Sequence, residues 1–109
     1  MAILNVALAA ATGGAPGNPQ YIDIVTLDLS AGYTAGGWAD FSVSVQDAIG
    51  KGKTIQTVVQ NNIPGTPKVL VKYDRTTDKL VCVTEALIEV APAGDLSGVV
   101  GLELVIISN

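Results

Sequence analysis

The chain of 109 residues contains no histidine and one cysteine, Cys82. Without an imidazole there is no Ser-His or Cys-His nucleophile pair. With a single thiol there is no disulfide within the chain and no zinc site built from His or Cys. Carboxylates remain. Asp74 with Asp78 and Glu85 with Glu89 are spaced closely enough to share acid–base work on paper. Asp74 and Asp78, however, bracket a turn, where aspartate side chains bond the local backbone. Glu85 and Glu89 share strand parity and are expected on one solvated face. No acidic cluster has calcium-loop spacing. No glycine-rich tract has the dinucleotide-loop or P-loop spacing ahead of a helix. Cys82 lies inside an apolar strand and reads as a small core residue. The expectation is a protein that is not an enzyme, with no catalytic residue, cofactor or metal.

The aromatic residues offer binding chemistry instead. Trp38 follows Gly36-Gly37 next to Asp40, and Tyr33 stands in the same loop. A loop tryptophan either plugs the end of a core or is an exposed anchor, and an exposed one is a natural interface hot spot. Tyr33 carries the same two readings. The N-terminal stretch, with Ile3, Leu4, Val6 and Leu8, adds an apolar surface. It is either the first edge strand of the chain's own sheet or an arm that docks on a neighbour by strand addition. A tract rich in Gly and Pro follows it (residues 13–19). Interface candidates are therefore Ile3, Leu4, Val6, Leu8, Tyr33 and Trp38.

Short strands must position these residues. Residues 21–29 are rich in β-branched side chains, and their two faces are not cleanly split, which suggests a bulge or burial on both sides. Phe41, Val43 and Val45 alternate with serine and predict a half-buried strand. Its continuation, residues 46–50, fits a turn of helix or a strand extension. Strands are predicted at 54–60, 69–73 and 79–83, the last two joined by a hairpin at 74–78. A further short strand is expected at 85–90. The closing run, 99–107, has Glu103 as its only polar residue and belongs in a core or an intersubunit contact. This spacing predicts an all-β fold, an antiparallel β-sandwich or jelly-roll-like single domain. The expected division is an N-terminal arm and tether at 1–19 and the domain at 20–109.

Composition limits the partners. Hydrophobic residues make up 49% and charged residues 15%, with a mean hydropathy of +0.45. That excludes a chain too polar to fold and suggests that a partner covers part of the surface. The net charge of -4 argues against nucleic acid. All six bases fall within residues 51–79, against Asp74 and Asp78, while the flanking segments carry only acids. Solvated strand faces explain this, as does head-to-side pairing of copies. The longest apolar run, Val6 to Ala11, is far shorter than the roughly 18–20 residues of a membrane span. The first basic residue is Lys51, so the basic start of a secretion signal is missing, and synthesis in the cytoplasm is expected.

Four segments in order resemble a known family. Gly32-Tyr33-Thr34-Ala35-Gly36-Gly37 is similar to a Tyr-x-x-Gly-Gly element in small proteins of tailed-phage head operons. Ile55-Gln56-Thr57-Val58-Val59 resembles the strand that follows it there. Val71-Lys72-Tyr73-Asp74, a turn and Lys79-Leu80-Val81 come next. Glu89-Val90-Ala91-Pro92-Ala93-Gly94-Asp95-Leu96-Ser97-Gly98 before an apolar strand resembles their end. The resemblance spans residues 20–109 and leaves out the N-terminal arm. It implies a capsid decoration, or cement, protein of a tailed bacteriophage. Such a protein stabilises the head across capsomer boundaries, has the major capsid protein as partner, self-associates as a homotrimer and resides on the virion surface. A ligand- or carbohydrate-binding β-module of a phage tail or fibre, using Trp38 and Tyr33, is the alternative.

Overall fold

The structure is a computed structural model that describes residues 3–12, 21–91 and 94–109, without the side chains of Leu4, Asn5 and Thr12. The Gly/Pro tether lies outside the described residues. The elements in order are β1 (Ile3–Thr12), β2 (Tyr21–Leu29), α1 (Phe41–Ile49), β3 (Ile55–Gln60), β4 (Val69–Asp74), β5 (Lys79–Thr84) and β6 (Leu102–Ser108). They form two antiparallel sheets, a four-stranded one ordered β1-β2-β6-β3 and a two-stranded one, β4-β5. The fold is an all-β sandwich in a single compact domain, as the strand spacing predicts.

Alternation builds the core. In β2, Asp23, Val25, Leu27 and Leu29 are buried, and in β6 Leu102, Leu104, Ile106 and Ser108 are. Strand side chains alternate between faces with period two, so these eight form one inner face. The second layer supplies Val69, Leu80 and Cys82 from β4 and β5 and Phe41, Val45 and Ile49 from α1.

Two expectations are corrected, and one segment left open between two readings is observed as one of them. Residues 41–45, expected as a strand, begin a helix that runs to Ile49, and for the residues after Val45 the helical reading is the one observed. The residues buried there are Phe41, Val45 and Ile49, the spacing of one helix face, whereas Val43 is 55% exposed. The serine-valine alternation fits both periods, and long-range capping decides between them (below). Residues 85–90 form no strand; a turn leads to a single bridge between Val83 and Glu89. Residues 3–12 pair along β2 from Ile3 opposite Leu29 to Thr12 opposite Ile22. Of the two readings of this segment the edge strand is the one observed, and among the described residues the sheet begins at Ile3. Ile3 is buried in the core, and α1 packs on β1.

Candidate interaction face

The outer face of the four-stranded sheet is the side away from α1 and β4-β5. Its positions follow from the register. One row carries Ile22, Ile107 and Thr57, and the next carries Ala10, Ile24, Val105 and Val59. Ile22 is 43% and Val59 52% exposed, and Ile24, Val105 and Ile107 are half-buried by their neighbours in the sheet. Bulges adjust which residues share this face. The register shift between Ile55 and Thr57 turns Val58 inward and Val59 outward. The result is a contiguous aliphatic patch of five Ile and Val side chains, and no described element packs over it. Towards the other end of the strands the face becomes polar. Thr26 stands opposite Glu103, and Asn61 donates from its amide nitrogen to the Glu103 carboxylate. The backbone N–H of Gly101 donates to Asp28.

The aromatic candidates sit elsewhere. Tyr33 is 2% and Trp38 4% exposed, so neither presents a surface to a partner in this fold. Their rings meet edge to face at 5.3 Å, and Trp38 exchanges backbone hydrogen bonds with Leu80. Gly37 allows this approach. Its φ is 107°, and a Cβ there would come within 2.9 Å of the Leu80 carbonyl oxygen. The Tyr33 hydroxyl donates to Glu89 Oε2 at 2.8 Å and accepts from the Cys82 N–H at 3.1 Å. Burial, more than the Glu89 contact, pushes its pKa up to about 12. Burial likewise pushes the Cys82 thiol up to about 12, so this sulfur is a core atom and not a poised nucleophile. Of the N-terminal candidates, Ile3 is buried, Val6 half-buried and Leu8 46% exposed, while the side chain of Leu4 is outside the described set.

The carboxylate pairs are occupied structurally. Asp74 Oδ1 accepts from the N–H groups of Thr76 and Thr77, and the Thr77 contact holds its pKa below the usual range. Asp78 faces away from that turn. Its carboxylate accepts from the Ser42 N–H and hydroxyl and from the Tyr73 hydroxyl. Glu89 takes the Tyr33 hydroxyl and the Gly36 N–H, and Glu85 stands in a turn; both are exposed, but no strand joins them, so the expected strand parity is absent. Among the described residues no group of three His, Cys, Asp or Glu could hold a metal ion.

None of the five aliphatic residues of the outer patch is among the sequence-derived candidates. Their signal was nevertheless present, in the unsplit faces of 21–29 and the continuous apolarity of 99–107. No family model matches this chain, and no curated protein or solved structure matches it either.

Proposed function

We propose that this chain is a structural assembly protein without catalytic activity, of the kind that decorates the outside of a tailed-phage head. One observation carries the reading: the two central strands of the larger sheet carry aliphatic side chains on both faces, and the described residues cover only one of them. Monomeric proteins rarely leave such a patch open to water, and one rimmed by polar residues marks a contact surface. Ile22, Ile24, Val59, Val105 and Ile107 form the patch, and Thr26, Glu103 and Asp28 form the rim. Each buried apolar Å² contributes about 25 cal/mol, and many copies on one shell multiply a modest single contact. The partner that suits this face is the major capsid protein, bridged across capsomer boundaries. The phage assignment rests on the resemblance of residues 20–109.

Co-sedimentation with heads of the encoding virus, assembled without this chain, tests the reading. The wild-type chain is expected to attach in fixed stoichiometry. Val59→Glu and Ile22→Glu, both at exposed positions, are expected to abolish attachment while changing stability by about 0.5 kcal/mol or less. A wild-type chain that stays in the supernatant, or variants that attach like wild type, would overturn it.

A further inference from the structure

A second surface lies on the opposite side of the sandwich, on the outer face of β4-β5. A hollow of about 600 Å³ is lined there by Val81 and Val83, by Lys72 and Arg75, and by Asp74 and Glu89. The carboxylates there are already engaged: Asp74 with the turn amides, and Glu89 with Tyr33 and Gly36. The only ion pair among the described residues is Lys53–Asp23, so Lys72 and Arg75 have no carboxylate within bonding distance.

At the rim of this hollow stands a knob. Leu87 and Ile88 are 73% and 67% exposed, the most exposed large apolar side chains in the described chain. Glu85 precedes them, exposed and without an ion pair; it borders Lys68 across a smaller hollow. The tip is rigid. Leu87 N–H donates to the Thr84 carbonyl, and Thr84 N–H donates to the Ile88 carbonyl. Leu87 has a φ of 62°, a left-handed conformation costly for a leucine, so the fold accepts strain to present this side chain.

An acid-bearing aliphatic knob thus adjoins a hollow that carries two valines and two cations in no ion pair, Arg75 donating instead to Gln56 Oε1 at 2.8 Å. We propose that this patch is self-complementary and joins two copies of the chain: each copy's Leu87–Ile88 tip seats in the other's hollow, with Glu85 against Lys72 and Arg75. Side-by-side knob and hollow are what an isologous contact requires, because a twofold rotation exchanges them. The charges set register and partner choice, and the apolar side chains supply the buried area. This proposal does not depend on the shell reading, since it uses the other side of the sandwich.

Sedimentation equilibrium of the full chain provides the test. The wild type is expected to pair reversibly with concentration. Glu85→Lys and Lys72→Glu alone are each expected to weaken pairing about tenfold or more. An equimolar mixture of these two variants is expected to restore it, because both contacts in the mixed pair are then opposite in sign. Leu87→Gly is expected to keep or raise the melting temperature, as glycine suits the positive φ, while weakening pairing. A wild type that stays monomeric throughout, a mixture that restores nothing, or a Leu87→Gly protein that pairs like wild type would overturn the proposal. Melting curves of every variant separate lost pairing from lost folding.

Discussion

At Asp78 the backbone turns through a φ of 54°, and the side chain meets the start of a helix far back along the chain. Its carbonyl accepts from Phe41 N–H, and its carboxylate from the N–H and hydroxyl of Ser42. Asp40, the residue that precedes the helix, makes no side-chain cap. Asp78 therefore does the work of an N-cap and places negative charge at the positive end of α1. Asp78→Ala is expected to cost about 1–3 kcal/mol in urea denaturation, because it leaves three half-buried donors without this partner. Tyr33 sets an alkaline limit. Its pKa rises from 10 to about 12 on folding, so between these values the folded state holds a proton that the unfolded state has lost. Stability from this group is complete below pH 10 and falls as pH rises towards 12. Cys82 and Tyr73, also raised by burial, act in the same direction. Tyr33→Phe is expected to make the alkaline fall in melting temperature shallower, measured by thermal scans across that range.

Among the elements, α1 shows how two periodicities compete. Phe41-Ser42-Val43-Ser44-Val45 satisfies a strand of period two and also places Phe41, Val45 and Ile49 on one helical face. A strand would bury Val43 with Phe41, whereas the helix leaves it in water. Val43→Ala is therefore expected to change stability by about 0.5 kcal/mol or less. Phe41→Ala, at 0% exposure, is expected to cost about 3–5 kcal/mol. Equal costs at the two positions would contradict the helix. The hairpin β4-β5, by contrast, is legible locally. Two β-rich runs flank Asp-Arg-Thr-Thr-Asp, and the observed register places Asp74 opposite Lys79.

For the whole molecule the decisive strands are β2 and β6. Each is paired on both sides and alternates buried with half-exposed residues over its full length. β1 completes the sheet as an edge; its residues 7–11 are exposed, but Ile3 is in the core. Deleting residues 3–12 removes the pairing partner of β2 and part of the support of α1. The truncated chain is expected to lose cooperative unfolding by circular dichroism rather than remain a folded domain without an arm. Hydrogen exchange of the intact chain is expected to be slowest in β2 and β6 and fast along the outer edge of β1.

Strands β2 to β6, the hairpin, the buried Cys82 and the single all-β domain were readable from residue order, because alternation and turn chemistry act over a few neighbours. The double-sided apolarity of 21–29 and 99–107 was readable too, as a sign that more than one face needs covering. Which face the fold covers was not, since that depends on where α1 and β4-β5 come to rest. The same holds for Tyr33 and Trp38, whose burial follows from contacts with Leu80, Cys82 and Glu89 far along the chain. It holds also for α1, whose cap arrives from β4-β5. Side-chain pattern sets which surfaces are apolar, and only the meeting of distant segments decides which of them remain open to a partner.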